Sequence, residues 1–237
     1  MSETTPLKSA DPAFTAAGLL LGARRSLPLV LSVGAYGAVF GVLARQAGLS
    51  LPEASLMSAA VFAGTAQFLA IGLWATPVPI VAVVAATLVV NLRLLMMGAA
   101  LRPWLATLGP LRTYGSLFFL TDESWALTLR EFEAGGRDTA FLLGSGLAIF
   151  VAWNGATVAG YTAGAALGDP ARWGLDFAAT AVFAALLAGR WTGRADLLPW
   201  ATAAVVAVIV ERIVPGAWYI LAGGLVGSLV GAARYAP

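Results

Sequence analysis

Asn91 and Arg93 close one long apolar run of this 237-residue chain, and Asp122 and Glu123 sit inside another. Charged side chains within membrane-length apolar sequence are costly, and they mark pathways, relays or binding sites. A guanidinium taken out of water needs a carboxylate partner to offset its desolvation. The two segments are neighbours in the chain, so Arg93 is expected to pair with Asp122 or Glu123 while Asn91 orients the pair or touches substrate. Snorkelling of Arg93 to the membrane interface fits the same residues. In Thr121-Asp122-Glu123-Ser124-Trp125 the two carboxylates cannot share a helix face, because neighbours lie about 100° apart. Burial and a nearby arginine act on a carboxylate in opposite senses, which suits a group that takes up and releases a proton. The alternative is a helix cap, with Thr121 and Asp122 opening a short helix at the membrane surface.

Two further polar spots interrupt apolar text. In Phe62-Ala63-Gly64-Thr65-Ala66-Gln67-Phe68, a helix break near Gly64, Thr65 and Gln67 would free backbone groups that need partners. A half-helix N-terminus there would attract a carboxylate. Close helix packing, with Gln67 bonded to a neighbouring helix, is the other reading. Trp153-Asn154-Gly155 likewise suggests a local break or an interhelical hydrogen bond, with Asn154 as a candidate substrate contact. Glu211-Arg212, before Pro215-Gly216, reads as an interfacial charge pair at a turn.

The elements that must position these residues follow from composition. The chain is 59% hydrophobic and 11% charged, without cysteine or histidine; a soluble domain carries roughly 25% charged residues. This is a polytopic integral membrane protein. Disulfides, thiolate nucleophiles, Cys/His metal sites and a Ser-His-Asp hydrolase are excluded, so Gly144-Ser145-Gly146 has no histidine base to serve it. A net charge of +2 points to no nucleic-acid surface. Neither a metal nor a cofactor is expected. No phosphate-binding loop is present, so energy would come from an ion or proton gradient.

Uncharged runs cover residues 26–44, 54–92 and 139–168, with Trp74 to Pro79 as a turn inside the second. Tyr114 to Leu129, Leu175 to Ala188, Leu197 to Val210 and Ala217 to Gly231 complete the set. The expected fold is all-α, with seven to eight transmembrane helices and eight preferred; residues 1–26 form an N-terminal cytoplasmic segment and 27–237 a single transmembrane transporter domain. The first long span would act as an uncleaved signal anchor. The positive-inside rule mildly favours cytoplasmic termini, with Lys8, Arg24, Arg25, Arg130, Arg137, Arg190, Arg194 and Arg234 inside against Arg45, Arg102, Arg112, Arg172 and Arg212 outside. Ala60-Val61-Phe62-Ala63 matches Ala181-Val182-Phe183-Ala184, which leaves internal duplication and broken helices open. Gly37/Gly41, Gly160/Gly164/Gly168 and Gly223/Gly227/Gly231 have small-xxx-small spacing and allow close helix approach; the last set could equally face a separate subunit.

Together the motifs resemble a known family. Val39-Phe40-Gly41 is followed by Gly48-Leu49-Ser50 and Glu53, Met57-Ser58, Phe62-Ala63-Gly64-x-x-Gln67-Phe68, Asn91-Leu92-Arg93, Met97-Gly98 and Thr121-Asp122-Glu123. This order, over roughly residues 28–130, is similar to the AzlC-type branched-chain amino acid permeases, the large subunit of a two-component exporter. A proline and a histidine associated with the family's motifs are here Val39 and Leu94, which leaves the first helix less obviously kinked and weakens a proton relay through position 94. The resemblance implies export of branched-chain or similar apolar amino acids across a bacterial inner membrane, and a small AzlD-like membrane subunit as partner. On this reading the chain is not an enzyme. Gly64 to Gln67 would cradle the substrate carboxylate, Asp122 or Glu123 would meet its ammonium group or carry a proton, and Arg93 would gate the acid. A transporter or channel for another small solute, or an assembly subunit of a membrane complex, are the rival classes.

Overall fold

Alanine- and leucine-rich text folds here as helix, and glycine, proline and capping residues set where each helix stops. The computed structural model describes residues 13–166, 178–189, 191–214 and 218–235. The elements are α1 (Ala16–Gln46), α2 (Leu51–Val61), α3 (Gly64–Gly72), α4 (Ile80–Leu105), α5 (Pro110–Phe118), α6 (Asp122–Glu133), α7 (Ala140–Ala166), α8 (Ala178–Gly189), α9 (Leu197–Ile213) and α10 (Trp218–Tyr235). Among the described residues the only β pairing is an isolated bridge between Ala13 and Asp138. The all-α expectation therefore holds for the described chain. Among the described residues three helices, α1, α4 and α7, are long and apolar enough to cross a membrane. Lys8, the Leu175 start of the sixth expected segment, and the Pro215-Gly216 turn lie outside the described residues.

Several boundaries differ from the sequence expectation. Helix α1 begins at Ala16, ahead of the uncharged run, and passes through Arg24 and Arg25 with Pro28 inside it; an exposed arginine pair does not stop a helix. The Tyr114–Leu129 segment is not one helix. It is interrupted between Phe118 and Asp122, where Thr121 caps α6 through a reciprocal pair of bonds with Ser124. The second segment is also divided, with Phe62 left-handed at φ 40° and α3 starting at Gly64. Around Asn154 no break occurs, since α7 is continuous. The repeated tetrapeptides differ in local structure: one closes α2, and the other lies within α8.

The chain divides into two compact units. Unit 1 comprises Met1–Ala35 and Arg93–Gly155; unit 2 comprises Tyr36–Leu92 and Ala156–Pro237. In unit 1, α1 and α7 run parallel and touch through small residues. A Cβ on Gly22 would overlap the Phe141 carbonyl, and one on Gly144 the Leu19 carbonyl. Backbone approach of this kind is what small residues permit. Ser26 and Ser145, both fully buried, meet at 2.6 Å, so the Gly-Ser-Gly tripeptide serves packing. Asp138 ties the starts of the two helices together, accepting from the Thr15 hydroxyl, the Thr15 N–H (3.2 Å) and the Ala140 N–H (3.1 Å). Leu101, Leu105, Leu120, Phe132 and Leu142 form the apolar core of this unit.

In unit 2 the later parts of α1 and α7 again run parallel, with Gly160 against the Ala38 carbonyl and Gly164 against Val42 and Arg45. Tyr161 donates to the Leu49 carbonyl at 2.9 Å and lies under the Arg45 guanidinium. Phe40 and Phe68 pack edge to face. Helices α9 and α10 form a hairpin in which Gly223 and Gly227 face Ala203, Ala207 and Pro199. That glycine stripe is thus used within the chain at these two positions rather than turned toward a separate subunit.

Candidate functional site

Arg93 is not at a span end. Helix α4 runs on to Leu105, which places Arg93 near the middle of 26 helical residues. At about 1.5 Å per residue, either helix end lies roughly 18–20 Å away along the axis. An arginine stem cannot span that distance, so the snorkelling reading loses its basis. Instead Arg93 Nη2 lies 3.2 Å from Asp122 Oδ2, with the two side chains 27% and 20% exposed.

Asp122 is the first residue of α6, immediately after the α5–α6 interruption. Thr121 is the cap, with Ser124 as its partner, and Asp122 takes the ion pair. A carboxylate in the first turn of a helix is also favoured by the backbone dipole. Glu123, one position on, has a different direction from the axis, and it is Asp122 that meets Arg93. Nearby on α5 and α6, Ser116 and Thr128 are fully buried, and their hydroxyls have no hydrogen-bond partner among the described residues.

Unit 2 holds the second constellation. The backbone N–H groups of an α-helix's first turn precede its first internal bond; in α3 that bond runs from Gln67 N to Ala63 O at 2.9 Å. Its N-cap, Ala63, offers no side-chain acceptor. Phe62, Ala63, Ala66 and Gln67 are buried, so the α3 N-terminus is a set of donors inside the protein, close to Gly64 and Thr65. Gln67 Nε2 donates to Ser58 Oγ at 3.1 Å, and Ser58 Oγ is 3.1 Å from Thr157 Oγ1. All three side chains are fully buried. Gln67 Oε1 is buried with no hydrogen-bond partner among the described residues.

Of the other expected residues, Asn91 belongs to unit 2, and its buried Oδ1 has no hydrogen-bond partner among the described residues. Asn154 donates back to the Phe150 carbonyl at 2.9 Å within α7, which makes its bond intrahelical rather than interhelical. Sequence reasoning missed Thr157 and gave Ser58 only as part of a motif. The available signal was Thr157 lying three residues beyond Asn154 on an apolar helix. Conversely, Gly48, Ser50 and Glu53 prove to be turn residues: Gly48 is left-handed at φ 85°, and Ser50 and Glu53 form a capping box at the head of α2. The Ser50 hydrogen bonds hold the Glu53 carboxyl below its ordinary range.

Fold and site define a helical membrane protein in which a long apolar helix carries an arginine paired to the first residue of the helix that follows an interruption. The family described as AzlC protein matches residues 28–167. The chain belongs to that family. An uncharacterized membrane protein of Archaeoglobus fulgidus is 34% identical over 142 residues, which is 60% of this chain and 61% of the relative. The match thus spans less than two thirds of that relative's length. No solved structure matches.

Proposed function

We propose that this chain is a secondary transporter that exports branched-chain or similar apolar amino acids across the cell's inner membrane, driven by a gradient and assisted by a small membrane subunit. The observation that carries this reading is the Arg93–Asp122 pair. It sits halfway along an apolar, membrane-length helix and at the interruption of another. A merely structural pair in that setting is a poor bargain in free energy, because apolar residues of similar volume are often as stable. A carboxylate that exchanges an arginine for a proton gives the pair a use in coupling. In unit 2, the buried N-terminus of α3 supplies donors suited to a carboxylate without a fixed counter-charge. Membership in the AzlC family is consistent with transport.

Multi-pass topology has independent support. Helices α1 and α7 run parallel in each unit, which requires an odd number of crossings between them. Three crossings, by α2–α3, α4 and α5–α6, meet that requirement.

Radiolabelled valine flux in proteoliposomes tests the reading, with the chain alone and with a candidate small partner, with and without a proton gradient. Gradient-driven uptake that leucine and isoleucine compete away is expected. Asp122→Asn should abolish it while the protein remains in the membrane. Full gradient-driven flux in Asp122→Asn would remove the acidic residue from the mechanism. Absence of flux in all combinations would shift the reading to another small solute or to an assembly role.

A further inference from the structure

Gln67 presents the α3 N-terminus with a defined face. Its side chain leaves the fourth residue of α3 and reaches back across the break to Ser58, which lies on α2 nine residues earlier. The amide head is therefore beside the Phe62–Ala63 interruption. One of its two amide N–H groups donates to Ser58 Oγ, and Ser58 Oγ in turn is 3.1 Å from Thr157 Oγ1. Either hydroxyl of the Ser58–Thr157 pair can donate to the other, and in both arrangements Ser58 Oγ accepts from Gln67. That bond leaves the amide oxygen as the outward atom. It is a buried acceptor without a hydrogen-bond partner among the described residues, on the helix whose N-cap makes no side-chain hydrogen bond. Buried polar atoms in native structures are almost always satisfied, so this one points to a ligand.

A ligand complementary to both features must carry an anionic acceptor group and, one or two bonds away, an N–H donor. An α-amino acid zwitterion does so. Its α-keto acid keeps the carboxylate but puts a second acceptor where the ammonium was, facing the Gln67 oxygen. We propose that Ser58 and Thr157 are positioning residues that hold the Gln67 amide oxygen toward the ligand, and that this orientation selects the zwitterion over the keto acid. The inference rests on the reading of the α3 N-terminus as the carboxylate site.

The test is equilibrium binding of radiolabelled leucine to the purified, detergent-solubilised chain, with unlabelled leucine and 4-methyl-2-oxopentanoate as competitors. The wild type should favour leucine by about tenfold or more, the size expected for a hydrogen bond to a charged group. Ser58→Ala removes the acceptor for Gln67 Nε2 and frees the amide to turn. Leucine should then weaken and the keto acid should strengthen, so that discrimination collapses. Thr157→Ser, which keeps the hydroxyl, should retain it, and Thr157→Val should lose part of it. Simple loosening of the fold would weaken both ligands together, whereas a gain for the keto acid is specific to amide reorientation. If Ser58→Ala does not fold, the Thr157→Val and Thr157→Ser pair decides by the same comparison. Unchanged discrimination in folded Ser58→Ala or Thr157→Val overturns the inference. Equal wild-type binding of both ligands overturns it while sparing the carboxylate site. Wild-type binding of neither overturns the carboxylate site as well.

Discussion

At the scale of single residues, the Arg93–Asp122 pair is the feature on which most depends. Its two charges are mostly withdrawn from water, and removing one partner leaves the other with its desolvation uncompensated. Breaking a buried pair this way costs on the order of 3–5 kcal/mol, while replacing both members by apolar residues is often neutral. Thermal unfolding in detergent should therefore rank Arg93→Met and Asp122→Leu as the unstable singles and the double variant as closer to wild type. Transport should be lost in all three. Additive destabilisation in the double variant would mean that the two groups do not interact in the folded protein. Sequence alone had already joined Arg93 to one of two carboxylates, because charge in apolar text demands a partner. It could not choose between Asp122 and Glu123, since that choice depends on where α6 begins.

Elements are governed here by their ends. Ser50 and Glu53 close a reciprocal box at the head of α2, and Glu53 lies outside the uncharged run that starts at residue 54. Because its folded carboxyl is held below the ordinary value, the stabilisation it contributes is complete above the unfolded-state value and disappears as pH falls through the folded one. Ser50→Ala should lower the unfolding temperature at neutral pH, and the gap to wild type should narrow in acid, below the glutamate range. A gap independent of pH would assign the whole effect to the serine. The helix ends were the least legible part of the sequence. Runs of uncharged residues anticipated the three long apolar helices α1, α4 and α7, but the interruptions at Phe62–Ala63 and Phe119–Thr121 depend on local backbone turns and on hydroxyl caps. Thr121 carried a visible capping signal, whereas no side chain announces the left-handed Phe62. Arg93 was misplaced for the opposite reason: a charge was taken to end a helix that continues for twelve residues beyond it.

For the whole molecule, hydropathy made the membrane class plain, and the parallel course of α1 and α7 adds a constraint that hydropathy lacks. An odd number of crossings between them is satisfied by three, or by α4 alone if α2–α3 and α5–α6 each dip in and return on the same side. Lengths favour three. Leu51 to Gly72 and Pro110 to Glu133 each extend about 33–36 Å if nearly coaxial, against a hydrocarbon core of about 30 Å. The chain has no cysteine, so single-cysteine labelling has no background. Ala47→Cys and Ala106→Cys, after α1 and α4, should react with an impermeant maleimide from outside the cell. Thr76→Cys and Ala134→Cys, after α3 and α6, should react only once the membrane is opened, if the chain takes the orientation with its N-terminus inside that the positive-inside rule mildly favours. Labelling of Ala47→Cys and Thr76→Cys from the same side would make α2–α3 re-entrant. The donors at Gly64 and Ala66 would then sit at the tip of a loop opening to one face only, and a carrier would have to bring the second face to the substrate by moving α4 or α7 instead.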